Sequence, residues 1–378
     1  MKILHLIQGK EKFNDVVNMY DESFNNGEHS FCYLKKDSDA TCMKENISIS
    51  QYEISFRRTI INRIIDSIKL ISLINDFDYV VMHSFCIDKI VTLYLYLKKN
   101  FTNKHMVWIE WGADLYDFQL KDKTSLKNKI SFHVGQKVRN NVNTFIGIFP
   151  PDCDYYKSHY PKSKAKIYAA RYLGGRADHL YNYDYADDCR LRQTLKNNET
   201  IYIQVGHNGQ KQLNHIAALE YLRKYADEDI MLFLPLSYSG TEEYINKIRE
   251  YLERYFKGKY IILDTFMPVD DYFKLLDRVD IAIFNTVRQT GLGNVQRMIR
   301  KNVKLFMPEN STMFNYFNSC GIPIHSVESI KNMTFSKFIE VTDWNNTLGP
   351  KKYIEYLSDY DGLLDEWRLI FEDLKRNV

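Results

Sequence analysis

Two glycine-bearing segments hold the residues whose types and spacing best suit chemistry. The first, Ile201 to His215, reads IYIQVGHNGQKQLNH: an apolar run enters a Gly206-His207-Asn208-Gly209 turn, and a helix is expected from about Gln210. Glycine lets backbone come close to a ligand, and free amides at a helix N-terminus bind phosphate. The spacing is not G-x-G-x-x-G, so a purely structural strand-to-helix turn explains the segment equally well. The second, Asn285 to Asn294, reads NTVRQTGLGN. It offers Arg288 as a cation, Gln289 as a hydrogen-bonding group, and Gly291 and Gly293 as close-approach positions around Leu292, with Arg297 one turn further on. A guanidinium beside helix-terminal amides suits a diphosphate.

A third segment, Trp108 to Phe118 (WIEWGADLYDF), ends an apolar run at Trp111-Gly112 and presents Asp114 at the start of the next element. An acid there is placed to take a proton from a hydroxyl, or else to cap a helix. Paired carboxylates at Asp37/Asp39, Asp152/Asp154 and Asp359/Asp361 have metal-binding spacing, but none ends a buried strand, so no metal or other cofactor is expected. His83, His207 and His215 are too scattered for a metal set and read as hydrogen-bonding residues.

Positioning these groups requires buried strands. Lys2 to Ile7, Tyr79 to His83, His105 to Trp111 and Thr144 to Phe149 are continuous apolar runs with helical stretches between them, as in a parallel sheet covered on both faces. The pattern restarts with Ile201 to Val205, Ile230 to Leu234, Tyr260 to Leu263, Ile281 to Phe284 and Val303 to Met307. The expectation is α/β: two Rossmann-like, doubly wound domains, 1–185 and 186–345, followed by closing helices over 346–378. Such sheets bind ligands at the carboxyl ends of their strands, in a cleft between the two domains.

A chain of 378 residues is long enough for two cores, and 45% hydrophobic with 26% charged residues excludes disorder. A net charge of +3 excludes a dedicated nucleic-acid binder. No run reaches membrane-spanning length and no secretory leader is visible, so a cytoplasmic protein is expected. The six cysteines form no C-x-x-C pair. Residues 56 to 74 mix Arg57, Arg58, Arg63 and Lys69 with Ile and Leu, and residues 121 to 141 are rich in Lys. These basic helices either touch an anionic membrane peripherally, at the inner face of the cell membrane, or are solvated faces.

Trp111-Gly112-Ala113-Asp114-Leu115-Tyr116, Val205-Gly206-x-x-Gly209 continuing to His215-Ile216-Ala217-Ala218-Leu219, Leu234-Pro235-x-x-Tyr238 and Arg288-Gln289-x-Gly291-x-Gly293 together resemble glycosyltransferase family 56. The resemblance implies a GT-B fold and hexosyl transfer from a nucleotide sugar, dTDP- or UDP-linked, usually without a metal. Its donor is a dTDP-linked 4-amino- or acetamido-deoxyhexose such as N-acetylfucosamine. Its acceptor is a polyprenyl-diphosphate-linked saccharide used in bacterial surface polysaccharide assembly. The donor is then expected on the second domain, at Gly206, His207, Asn208, Gly209, His215, Pro235, Tyr238, Phe266, Asn285, Gln289, Gly291, Leu292, Gly293 and Asn294. The acceptor is expected on the first, at Gly9, His83, Trp111, Gly112 and Tyr116. Arg288 would meet the leaving diphosphate; Asp114 would be the base if configuration inverts, or orient the acceptor if it is retained. A nucleotide-sugar epimerase or a non-catalytic nucleotide-sugar-binding protein fits the same architecture.

Overall fold

The apolar runs are strands of two separate parallel sheets, all inner except Tyr260–Leu263, which lies at an edge. A computed structural model describes residues 1–8, 14–36, 43, 47–85, 87–116, 125–173, 200–340 and 348–376. The chain divides into two compact units, residues 1–182 with 359–378, and residues 183–358. The boundary expected at 185/186 lies outside the described residues.

Unit 1 runs β1 (Ile3–Gln8), α1 (Asn14–Ser23), β2 (His29–Lys36), β3 (Ser50–Phe56), α2 (Ile60–Asn75), β4 (Tyr79–His83), α3 (Lys89–Leu97), α4 (Lys99–His105), β5 (Met106–Ile109), α5 (Leu126–Asn140), β6 (Thr144–Gly147), α6 (Pro150–His159) and β7 (Lys166–Ala169). The sheet order is β3-β2-β1-β4-β5-β6-β7. Strand order therefore reverses between β1 and β4, the place where open α/β sheets leave a crevice at their carboxyl ends. One face packs on α1 and on the chain's last helix, Tyr360–Lys375, whose Trp367 and Phe371 join Tyr20 and Phe31 in one core. The other packs on α2, α3, α5 and α6 around Trp108, Phe145 and Tyr156. Burial on both faces explains why β4, β5 and β6 read as unbroken apolar runs.

Unit 2 runs β8 (Ile201–Val205), a 3-10 turn (Lys211–Leu213), α7 (His215–Leu222), β9 (Ile230–Pro235), α8 (Glu242–Tyr255), β10 (Tyr260–Leu263), α9 (Val269–Leu276), β11 (Ile281–Ile283), α10 (Leu292–Arg300), β12 (Lys304–Met307), α11 (Thr312–Ser319), β13 (Ile324–Ser326), α12 (Phe335–Ile339) and α13 (Leu348–Ser358). Its order is β10-β9-β8-β11-β12-β13, with the reversal between β8 and β11. The last helix, α14 (Tyr360–Lys375), belongs to unit 1, so the expected closing segment 346–378 is divided at Asp359. Asp359 accepts from the Gly362 N–H at 2.9 Å to start α14, and Arg171 donates to the Asp359 carbonyl at 2.6 Å. Arg171 also pairs with Glu366 at 3.0 Å, and the Trp367 indole donates to the Arg171 carbonyl at 2.8 Å, which fixes the segment after β7 against α14.

One local expectation fails. No α-helix begins at Gln210; the 3-10 turn intervenes and α7 starts at His215, because Asn214 takes a left-handed conformation with φ 46° and ψ 46°. Its side chain makes no N-cap bond, and its amide donates instead to the Asn285 carbonyl at 3.1 Å.

Candidate functional site

In unit 2, three loops meet at the carboxyl edge of the sheet, beside the β8/β11 reversal. Gly206, directly after β8, has φ +69°, and a Cβ there would lie 2.5 Å from His215 Nε2. Gly291, the N-cap of α10, has φ +61°, and a Cβ there would lie 2.8 Å from the His207 ring. Each glycine thus leaves the space that a histidine of the β8 loop or α7 occupies. Among the described residues His207 Nδ1 and His215 Nε2 have no hydrogen-bond partner.

Polar bonds tie the loops together. Arg288, 4% exposed, donates to Gln210 Oε1 at 2.6 Å and to the Gln289 carbonyl at 3.0 Å. Thr290 Oγ1 lies 3.1 Å from His207 Nε2, and Asn208 Nδ2 lies 2.9 Å from the same nitrogen. Asn208 Oδ1 accepts from the Gln210 N–H at 2.8 Å, and Gln204, buried inside β8, donates to the Gly206 carbonyl at 2.8 Å. The β9 loop joins through Gly209, whose N–H donates to the Tyr238 carbonyl at 2.9 Å and whose Cβ position lies 2.8 Å from Gly240 Cα. Burial, with the Arg288 and His215 charges next, pushes the His207 imidazole down to about 3; burial pushes His215 down to about 4. Both are neutral at pH 7, so the positive charge of this loop cluster rests on the guanidinium rather than on imidazolium.

The structure brings together most of the expected donor-side residues. Gly206, His207, Asn208, Gly209, His215, Arg288, Gln289 and Gly291 share this edge, and Pro235 ends β9 beside it. Tyr238 and Phe266 stand 47% and 83% exposed, beyond β9 and β10. Asn285 donates to the Asn214 carbonyl at 3.4 Å, and Asn294 donates to the Tyr272 hydroxyl at 2.9 Å. Leu292 opens α10. Gly293 differs from its expectation: a Cβ there meets nothing within 4 Å, so no close approach requires glycine. Arg297 is engaged elsewhere, bidentate on Asp277 at 2.7 and 2.8 Å. Gln204, Gln210 and Thr290 were not anticipated, although a glutamine inside an otherwise apolar β8 was a visible signal.

Unit 1 reassigns its acids. Asp114, 6% exposed, accepts from the Phe85 N–H and the Trp108 indole at 2.7 Å on Oδ2, and from the Trp111 N–H at 2.8 Å on Oδ1. Both lone pairs of Oδ2 are used, and the carboxylate pins the β4 and β5 ends together. The carboxylate serves the scaffold here rather than standing bare, with one acceptor position left on Oδ1. Glu110, fully buried, accepts from the Gly112 N–H at 2.6 Å and the Ile148 N–H at 3.1 Å. Burial, then the neighbouring Asp152 and Asp114, pushes its pKa well above the usual value for a glutamate. Tyr116 is 1% exposed and donates to Asp152 Oδ1 at 2.7 Å, which removes it from any acceptor surface and uses Asp152 internally. Asp154 pairs with Lys157 at 3.0 Å on the exposed side of α6; Asp37, Asp39 and Gly9 lie outside the described residues. Gly112 turns the chain with φ 73°. Trp111 packs edge-on to Tyr172 with ring centres 4.9 Å apart, and the Tyr172 hydroxyl lies 2.6 Å from His83 Nδ1. His83 is 1% exposed and lies behind Tyr172 rather than at the surface.

The family model of glycosyltransferase group 56, described as 4-alpha-L-fucosyltransferase, matches residues 13–337. The chain belongs to this family. It is a glycosyltransferase, and its two parallel-sheet α/β domains are of the GT-B class. Solved structures share the fold at low identity. A sucrose-phosphate synthase of Thermosynechococcus elongatus aligns over 100% of both chains with TM-score 0.71 and 10% identity. The Anabaena protein Alr3699/HepE, in complex with UDP-glucose, aligns over 100% of both with TM-score 0.68 and 11% identity. A glycosyltransferase of Rickettsia africae covers 100% of this chain and 99% of its own, with TM-score 0.65 and 14% identity.

Replacing Asp114 by Asn tests the clamp. One oxygen and an NH2 group cannot accept from all three N–H donors, so a buried donor is left unpaired at a cost of about 1–3 kcal/mol. Thermal melting should show a fall of several degrees; an unchanged melting temperature would return Asp114 to the list of candidate bases.

Proposed function

We propose that the enzyme transfers a 4-amino- or acetamido-deoxyhexose from a dTDP-linked donor to a polyprenyl-diphosphate-linked saccharide in bacterial surface polysaccharide assembly. Unit 2 binds the donor and unit 1 the acceptor. The observation that carries the donor assignment is Arg288, buried and held by Gln210 across the two loops that flank the β8/β11 reversal. Departure of a nucleoside diphosphate builds negative charge, which pre-positioned donors stabilise more than water does because they need no reorganisation. Here Arg288 and the backbone amides at the α10 start supply them, while the Gly206, Gly209 and Gln210 amides are bonded within the loops. A deoxyhexose is supported by the family's description as a fucosyltransferase, since fucose is a 6-deoxyhexose.

Transfer to a lipid-linked acceptor is supported by α2, which buries Leu70 and Ile74 in the core but keeps a second apolar face outside. It buries Asp66 and Ser67 against unit 1, with Arg57 bidentate on Asp66 at 2.8 and 3.0 Å, and exposes Ile60, Ile61, Ile64, Ile65 and Ile68. Isoleucines at 79% and 73% exposure on a helix with Arg58 and Lys69 are disfavoured in water and suit the boundary of an anionic bilayer. The neighbouring α3 and α5 add exposed Leu97, Leu126 and Ile130, with exposed Lys127 and Lys129. No helix among the described residues is long and apolar enough to cross a membrane. The face therefore serves peripheral contact, at the membrane surface where a polyprenyl carrier resides.

Arg288→Ala should weaken dTDP or UDP binding by roughly 10- to 100-fold, the worth of a charge-assisted contact, with the fold intact. Calorimetric titration with both nucleotides reads this, and unchanged affinity for both would take Arg288 out of the donor site. For the membrane face, co-sedimentation should retain the protein on phosphatidylglycerol vesicles and not on phosphatidylcholine vesicles. Ile61→Glu with Ile65→Glu should abolish the retention; binding that ignores these changes would place the contact elsewhere.

A further inference from the structure

Three histidines far apart in sequence form a continuous line through the interior of unit 1. His5 Nδ1 lies 3.0 Å from His83 Nε2, His5 Nε2 lies 2.9 Å from His29 Nδ1, and His83 Nδ1 lies 2.6 Å from the Tyr172 hydroxyl. The strand register explains the line. Ile3 pairs with His29, and Leu6 pairs with Met82, the residue before His83, so His29, His5 and His83 share one face and climb across β2, β1 and β4. They run from the amino edge of the sheet to its carboxyl edge, where Tyr172 meets Trp111. The three imidazoles are 0–4% exposed. Their walls are aromatic: Phe31 stacks on His5 at 4.5 Å, Tyr20 meets it edge-on at 4.6 Å, and Phe371 covers His29 at 4.7 Å. At the outer end lies Glu28, paired with Lys375 at 2.7 Å and with the terminal amine at 3.4 Å.

A single-file line of this kind satisfies every internal bond only when all three imidazoles carry their proton on the same type of nitrogen. With each proton on Nε2, Tyr172 donates to His83, His83 to His5, and His5 to His29. We propose that this line is the proton path of the transfer reaction, with Tyr172 the residue that takes the acceptor proton. The proposal rests on the reading that unit 1 holds the acceptor. As the acceptor oxygen bonds to the anomeric carbon and the bond from that carbon to the diphosphate breaks, the hydroxyl proton passes to the Tyr172 oxygen. The Tyr172 proton moves to His83 Nδ1, the His83 Nε2 proton to His5 Nδ1, the His5 Nε2 proton to His29 Nδ1, and the His29 Nε2 proton to water. Each imidazole stays neutral and ends in the other tautomer. Burial lowers the pKa of all three, to about 3 for His83 and about 4 for His29, which opposes storing a proton on any of them and leaves concerted passage open. Tyr172 is raised by burial, and the Trp111 side chain offsets part of that rise.

Three of the four acceptor positions of the Asp114 carboxylate are taken, two on Oδ2 and one on Oδ1. His5 and His29 touch no substrate in this scheme and act only through His83 and Tyr172.

Two measurements test the path. Nitrogen-15 NMR of the imidazoles of the ligand-free protein should show His5, His29 and His83 all in the Nε2–H form; a mixed set would overturn the path. That reading needs no acceptor, so it stands or falls separately from the transfer activity. In the transfer reaction, kcat measured across mixtures of H2O and D2O should fall along a curve that requires more than one moving proton. His5→Gln keeps a donor and an acceptor but cannot pass a proton on; it should cut kcat by roughly 10-fold or more with the donor KM unchanged and make the isotope plot linear. A linear plot for the unaltered enzyme, or full kcat with an unchanged plot for His5→Gln, would reduce the line to a structural network.

Discussion

Two left-handed glycines and two neutral histidines hold the loop cluster of unit 2 in shape. Gly206 and Gly291 follow β8 and precede α10 on either side of the strand-order reversal, and each leaves room for an imidazole that a Cβ would displace. The cost of a side chain there is twofold, because positive φ is strained for any L-residue and the space is occupied. Arg288, Gln210, Thr290 and Asn208 are then fixed as one hydrogen-bonded group. A guanidinium held in this way loses little side-chain freedom when an anion arrives, which is what electrostatic stabilisation of a leaving group requires.

In unit 1 the acids at the carboxyl edge are spent on the scaffold. Asp114, Glu110 and Asp152 accept backbone, indole and tyrosine donors. Trp111 and Tyr172 are polar-tipped aromatic groups at the same edge, backed by the histidine line.

Legibility followed burial. β4, β8 and β10 matched their expected limits, and the other anticipated strands differed by a residue or two; all of these except the edge strand β10 are covered on both faces and read as continuous apolar runs. β2, β3, β7 and β13 were not anticipated: β3 is an edge strand in which Glu53 and Ser55 interrupt the pattern, β7 is a four-residue edge strand, and β13 has three residues. The two loops flanking the β8/β11 reversal stood out because they put glycine and arginine at strand ends, although a plain strand-to-helix turn explained the first equally well. Asp114 was read as a base or a helix cap because a sequence shows an acid near a strand end but not the three N–H groups that converge on it from residues 85, 108 and 111. The histidine line was invisible for the same reason, since His5, His29 and His83 become neighbours only through the register of β2, β1 and β4.

The central claim is that the carboxyl edge of unit 2, at the β8/β11 reversal, binds the nucleoside diphosphate. Hydrogen–deuterium exchange of the whole chain, with and without saturating dTDP or UDP, tests it most directly. The account predicts slowed exchange confined to the backbone amides of residues 206–210 and 289–294. Protection in the Trp111 segment of unit 1 instead, with the 206–210 and 289–294 amides unchanged, would contradict it.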